Sequence, residues 1–478
     1  MTKGFKICAG ATGLYLIFLY VTNIYYGDDL MRSYYGYMLW TNDGRPFSDL
    51  FYSMFVQFGS DYVPDIFPLP IILTGAIFSY VTSKAVERLC NPGGAIYAGV
   101  TVALLCNPFV ISNFLFRYDG AFMLLALACA IAPHALSISN QVLRVLASAV
   151  LLTLSFGLYQ ASVNVFIGLS FIALVCKYVM TGNLKASFKS SAFDFMSLII
   201  AYTIYSKIIL PLTVLNDYFS NFNKLIPLSV EGVNILFKNI IQAKDIIKLA
   251  LHSGLSVPLC ICIALSLYCL ARYAPRNKFM ILALYLVAMI GVSFFAFGIV
   301  AFGQNAAFFP RVFMGFGCFL AFNMLFLSSI TKHRVMSIVT SLVISLPLLI
   351  IFFAALNASR QEYEYQNNIA SMIVRDINSS SAKNEVVISV DGDIKRSPVA
   401  QINSRVFPVL DILLPKIFMT GYDGGRLTLM RNGLHEVRFV SQQESGFYNS
   451  RASDANVIAA NSIYSIYHVN NVIVIKFN

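Results

Sequence analysis

Eleven stretches of this sequence stay apolar for about as long as a helix needs to cross a lipid bilayer, and that constrains the chain more than any other feature. A hydrocarbon core of roughly 30 Å takes about 20 apolar residues per helix. The stretches are 7–26, 66–83, 94–111, 120–137, 142–159, 161–180, 192–215, 253–271, 279–299, 312–330 and 335–356. Of the 478 residues, 58% are apolar and only 12% are charged, whereas a soluble domain carries roughly 25% charged residues. Lipid must solvate most of this surface. That excludes a cytosolic enzyme, a disordered chain and a nucleic-acid binder, despite the formal net charge of +11. The first stretch is longer than the h-region of a secretory signal and has no A-x-A site after it, so it reads as an uncleaved anchor.

The net charge is a topology signal. With the N-terminus in the cytoplasm, the inward segments carry Lys3 and Lys6; Lys84 and Arg88; Arg144; Lys177, Lys185 and Lys189; Arg272, Arg276 and Lys278; Lys332 and Arg334. Every short inward loop is then basic, as positive-inside insertion requires. An odd number of spans puts the end of the chain on the outer side. Two outward loops are long, which in a compact bundle points to function. The one at 27–65 is acidic. The one at 217–250 interleaves Lys238, Lys244 and Lys248 with apolar residues, as in an amphipathic helix at the membrane surface.

The composition changes near Asn357. Residues 357–478 hold 12 Lys+Arg against 11 Asp+Glu, leaving 22 against 12 for residues 1–356. The expected organisation is therefore a polytopic helical membrane domain over 1–356 and a small outer domain of α/β or α+β type over 357–478. The β-rich runs at 385–390 and 471–477 mark the second. All nine cysteines fall in the first piece, most inside apolar runs where a thiol acts as a small hydrophobe. Neither they nor the five histidines show metal-ligand spacing. Asp391-Gly392-Asp393 resembles a metal-holding DxD but reads as the exit of a strand into a turn. A phosphate-cradling GxxxxGK[ST] loop is absent from the sequence, which disfavours an ATP-driven pump.

The polar residues that could carry chemistry cluster on the outer face. Asp28 and Asp29 follow the first helix, with Arg32 one turn on; acids at such a boundary are functional candidates. Consecutive helical positions point about 100° apart, so the two need not share one task. Asn42-Asp43-Gly44-Arg45-Pro46 has turn composition. Arg117 and Asp119 open the fourth apolar stretch; Arg311 opens the tenth, preceded by Gln304 and Asn305. Carboxylates beside several arginines at a membrane surface suit a phosphate-bearing lipid. Guanidinium grips phosphate through paired hydrogen bonds, and a carboxylate can accept the proton of an attacking hydroxyl.

Four motifs in this order, GDDLMRS after the first helix, GRP at 44–46, Arg-Tyr-Asp at 117–119 and Pro310-Arg311, resemble the serotype-converting O-antigen glucosyltransferases of phages and their bacterial hosts, the type-II glucosyltransferase family. The resemblance covers most of the membrane piece. It implies the GT-C architecture: a multi-pass bacterial inner-membrane protein with a periplasmic site and a periplasmic C-terminal domain. It further implies glucose transfer, with inversion, from undecaprenyl-phosphate glucose to O-antigen polysaccharide. The donor would be supplied by a separate synthesising glucosyltransferase and a flippase. Asp28 or Asp29 would be the general base. Arg32, Arg45, Arg117, Asp119, Gln304 and Arg311 become candidates for the donor phosphate, the substrate or bracing. Because a lipid phosphate is already a good leaving group, no metal or other cofactor is expected.

Two other readings stay open. A GT-C transferase could move another sugar or modify lipid A or protein. A lipid-linked-sugar flippase or transporter should show paired half-repeats and ionisable residues at the bilayer midplane. No internal repeat is visible here, and the charges crowd the outer face.

Overall fold

A computed structural model describes residues 2–90, 92–222, 224–331, 333–380, 385–418 and 423–478; Lys332, used above to orient the chain, lies outside them. The chain is mostly helical. In order come α1 (Lys3–Thr22), α2 (Asp29–Tyr35), α3 (Pro46–Phe55), α4 (Leu69–Leu89), α5 (Gly94–Leu105) and α6 (Pro108–Leu115). They are followed by α7 (Gly120–Ala135), α8 (Gln141–Leu158), α9 (Val163–Thr181), α10 (Leu184–Ile204) and α11 (Asp217–Phe222). Then come α12 (Val230–Ala250), α13 (Ser256–Tyr273), α14 (Lys278–Phe294), α15 (Phe316–Ile330) and α16 (Arg334–Ser380).

Every one of the eleven apolar stretches is occupied by helix, but not all reach the same length. Among the described residues, seven helical segments are long and apolar enough to cross a membrane, and an eighth if the bent pair α5–α6 is one span. The chain is therefore membrane-embedded. The stretch read as one helix over 94–111 breaks by 67° between α5 and α6. Asn107 caps the second helix through Val110 N–H, and Pro108 occupies its first turn, where a missing N–H costs nothing. Three of the expected spans are short: α7 has 16 residues, α14 has 17 and α15 has 15. Almost every residue of α7 and α15 is buried, so hydrocarbon thickness does not set their length. Irregular backbone is tolerated at membrane depth when protein surrounds it. The chain just before each of these two helices carries Arg117–Asp119, in a turn, and Arg311, in a short 3-10 helix at Pro310–Val312.

Contacts divide the chain into two compact units. The first comprises Met1–Val21, Met38–Phe353 and Phe407–Val409. Asparagine caps at Asn140, Asn183 and Asn277 start α8, α10 and α14, satisfying N–H groups that a helix start leaves open. The stretch 217–250, expected to hold an amphipathic helix, contains α12, which continues through a turn at Leu251–Leu255 into α13; Gly254, at φ 101°, makes that break. A polar knot joins three helices: Asn323 Oδ1 on α15 accepts from Ser266 Oγ on α13 (2.8 Å) and Tyr285 OH on α14 (2.9 Å). Asn323→Ala should destabilise the detergent-solubilised protein by about 1–3 kcal/mol, because it strands a buried phenol. A thermal melt reads this directly, and an unshifted midpoint would count against the knot.

The second unit comprises Thr22–Tyr37, Ala354–Val406 and Leu410–Asn478. It thus takes in α2, from a segment far upstream of the compositional change at Asn357. Its five-stranded sheet has the order β2-β1-β5-β4-β3, with β1 (Glu385–Asp391), β2 (Glu436–Phe439), β3 (Asn456–Ala460), β4 (Tyr464–Val469) and β5 (Val472–Phe477). Strand β1 pairs in parallel with β2 and β5, while β3, β4 and β5 run antiparallel. The two β-rich runs of the sequence are the neighbours β1 and β5. Ile388, Ile466 and Ile475 of the sheet pack with Ile373 and Ile377 of α16, and Leu30 of α2 joins this core. The buried Glu362 and Gln366 of α16 accept Ser397 N–H (2.8 Å) and Ile417 N–H (2.7 Å), tying the 394–418 region to the helix. Gly392 leaves β1 at φ 76°. Asp391 pairs with Lys476 and Asp393 with Lys416, each at 3.5 Å, so the DxD carboxylates serve two different lysines.

Candidate functional site

In the first unit the site begins with a turn. Gly44, at φ 69°, ends a short helical turn at Trp40–Asp43 and leaves Arg45 to start α3, with Pro46 at the first helical position. Asp49 closes this turn from within α3 by accepting Trp40 N–H (3.2 Å) and Thr41 N–H (2.6 Å). The Gly44 carbonyl accepts from Gln160 Nε2 (3.0 Å) and Tyr205 OH (2.8 Å). Local sequence forms the turn, and two distant helices hold it.

Arg45 thereby reaches Asp119, Nη1 to Oδ2 at 3.6 Å, in a largely buried pair. Its guanidinium lies 4.9 Å from the centre of the Tyr159 ring. Its Nε is buried with no hydrogen-bond partner among the described residues. The other Asp119 oxygen accepts from Trp40 Nε1 at 2.9 Å. Trp40, the only tryptophan in the sequence, is fully buried and stacked on Tyr52, whose hydroxyl donates to the Tyr118 carbonyl. Asp119 is thus fixed from two sides.

Arg311 enters the same cluster through its backbone: its carbonyl accepts from Tyr159 OH (3.0 Å) and Asn113 Nδ2 (3.1 Å). Its guanidinium lies 5.3 Å from the ring centres of both Phe116 and Phe309. Tyr159 therefore links Arg45, through its ring, to Arg311, through its hydroxyl. Arg117 turns to a separate partner. Its Nε meets both Asp65 oxygens at 2.8 and 2.7 Å, above the Phe67 ring. Gln304 is exposed and held by its backbone N–H to the Lys224 carbonyl at 2.7 Å.

Asp28, Asp29 and Arg32 belong to the second unit. Gly27 (φ 54°) and Gly36 (φ 69°) bracket α2, so these residues sit on one short rigid element pinned by Leu30. The acidic pair is split by environment. Asp29 is fully buried, and its Oδ2 accepts Tyr26 N–H at 3.1 Å, while Asp28 is exposed. Arg32 is buried, with its guanidinium 5.2 Å from the Tyr37 ring centre.

Sequence reasoning missed Trp40, Asn113, Tyr159 and Gln160. One signal was available for Trp40: a lone tryptophan four residues before GRP. Tyr159, Gln160 and Asn113 lie inside or beside apolar runs, where one polar atom leaves no periodic trace.

Residues 17–322 match the family model described as glucosyl transferase GtrII. Over 99% of its length the chain is 24% identical to a Salmonella phage P22 protein described as an uncharacterized 55.3 kDa protein in the gtrB 5′ region, of which the match covers 98%. No solved structure matches. The family match runs from α1 into α15, taking in every residue from Asp28 to Arg311 discussed above and stopping short of the C-terminal sheet. The chain belongs to the GtrII glucosyl transferase family.

Proposed function

We propose that this protein transfers glucose from undecaprenyl-phosphate glucose to O-antigen repeat units at the periplasmic face of the bacterial inner membrane, in serotype conversion. The observation that carries the reading is Arg45, a cation braced by Asp119 and Tyr159 with a buried Nε turned to no protein acceptor among the described residues. It sits in a membrane-embedded chain of a glucosyl transferase family. The family resemblance supports a GT-C bundle, the eleven apolar stretches support its spans, and the basic inward segments support a cytoplasmic N-terminus with a periplasmic C-terminal unit. A partner glucosyltransferase supplies the donor and a flippase delivers it to the outer leaflet.

In the reaction an acceptor hydroxyl attacks the anomeric carbon opposite the phosphate. Its proton passes to the carboxylate of Asp28, the exposed member of the pair, as general base. The bond from the anomeric carbon to the phosphate oxygen breaks, and undecaprenyl phosphate leaves with the electron pair. The configuration inverts. Asp29, buried against Tyr26 N–H, positions α2. Arg45, linked through Tyr159 to Arg311, balances the charge growing on the phosphate. Asp119 braces Arg45 within the first unit, where Arg117 and Gln304 serve the substrate, and Arg32 serves it from α2 in the second.

The test is the full chain in nanodiscs, given long-chain polyprenyl-phosphate glucose and an O-antigen acceptor. Glucosylated acceptor is expected, at an undiminished rate in EDTA, since charge balance comes from arginine. No transfer would overturn the reading; transfer lost in EDTA and restored by a divalent cation would overturn the metal-free mechanism.

A further inference from the structure

An apolar groove of about 1000 Å³ runs through the first unit between α10 and α12. That lies at the upper end of the roughly 300–1,000 Å³ usual for small-ligand sites. Leu198 and Tyr202 line one wall and Val233 the other, while Leu225, Leu228 and Phe302 close the outer side. This closure is a strap of two loops laced by backbone: Ile226 N–H to the Phe302 carbonyl (3.0 Å), Gln304 N–H to the Lys224 carbonyl (2.7 Å), and a bridge of Leu225 with Gly303. Asn239 of α12 anchors the strap by donating to the carbonyls of Ala301 and Gly303, both at 2.9 Å.

Among its polar lining residues, Gln160 and Tyr205 are hydrogen-bonded to one another at 2.8 Å and both to the carbonyl of Gly44, the residue before Arg45. Tyr205 opens a π-helical turn at the end of α10, a local widening that recurs at functional sites. The rim is apolar and open. Leu228 is fully exposed, Leu225 is 62% exposed and Val233 51%. Large aliphatic side chains gathered in this number around an opening belong against hydrocarbon rather than water.

We propose that this groove takes the first isoprene units of the lipid-linked sugar donor, entering sideways from the bilayer, with the phosphate reaching Arg45. A single apolar channel whose Gln160–Tyr205 pair adjoins the residue before Arg45 matches a single hydrocarbon chain ending in a phosphate. A diacyl phospholipid would bring two chains. This assignment rests on the polyprenyl-phosphate donor proposed above.

Two plugs test it, Ile199→Trp and Val233→Trp, at half-exposed rim positions where a larger side chain has space. Ile290→Trp, on the exposed face of α14, is the control. Each full-length variant in nanodiscs receives a long-chain donor and a short-chain donor without isoprene units, methyl-phosphate glucose. The plugs should raise the ratio of long-chain to short-chain donor KM about tenfold, as loss of a few buried methylenes implies, and the control should not. Wild-type protein should also crosslink a diazirine-bearing polyprenyl phosphate at peptides of α10 and α12. Transfer by the wild type with an unchanged ratio in both plugs would overturn the groove assignment alone, as would adducts spread over α1 and α14. A wild type inactive with both donors would overturn the donor reading and this assignment together.

Discussion

Asp28→Asn is expected to lower the rate of sugar transfer by about 10²–10⁴-fold, the usual contribution of a general base, with donor KM nearly unchanged. Asparagine keeps the shape of aspartate but cannot take the proton of the acceptor hydroxyl. The neighbouring substitution makes the informative comparison. Asp29 is buried and accepts Tyr26 N–H, and asparagine can still accept that bond, so Asp29→Asn should cost less than Asp28→Asn. Both proteins must be shown inserted in membranes at wild-type levels. Wild-type turnover in Asp28→Asn would remove it as the base; loss confined to Asp29→Asn would move that role one residue along.

The second large effect is expected at Arg45. Arg45→Ala should lower kcat/KM for the donor by about 10²–10³, as removal of one preorganised donor to a developing anion does, and leave acceptor KM unchanged. Arg45→Lys should recover little, because an ammonium group lacks the planar fork that grips phosphate. Removing one partner of a buried ion pair also destabilises by about 3–5 kcal/mol, so folding must be controlled. Asp119→Asn provides the control: it weakens the same pair but leaves the cation. If Arg45 only braces the fold, the two variants should lose equal activity; if it holds phosphate, Arg45→Ala should be much the worse. Equal loss would end the phosphate role.

Much of the architecture was legible because lipid demands long apolar runs: all eleven stretches are helical. What the runs hid was their interruption. Asn107-Pro108 carried an open signal, a cap followed by a proline at the first helical position, yet the apolar residues around it averaged the break away. The short lengths of α7 and α15 could not be read, since hydropathy does not separate a helix facing lipid from one surrounded by helices. In the second unit β1 and β5 stood out as β-branched runs, whereas EVRF of β2 and NVIAA of β3 are too short and mixed to declare themselves. Of the candidate site, Arg45 and Asp119 were legible as charges, and the structure pairs them. Their braces were not: Tyr159 and Trp40 each contribute one polar atom on a large apolar body. Nor did any local pattern signal that α2 joins the core of a unit built mainly from the far end of the chain.

That last feature bears on how a cell makes the protein. Leu30 leaves the ribosome hundreds of residues ahead of Ile373 and Ile475, which complete the core it packs into. At about 5–20 residues per second the delay lasts tens of seconds, during which α2 must wait beside the translocation machinery with its apolar side uncovered. A nascent chain that stops before the sheet is made would display that side permanently, offering quality-control proteases an early mark of incomplete synthesis.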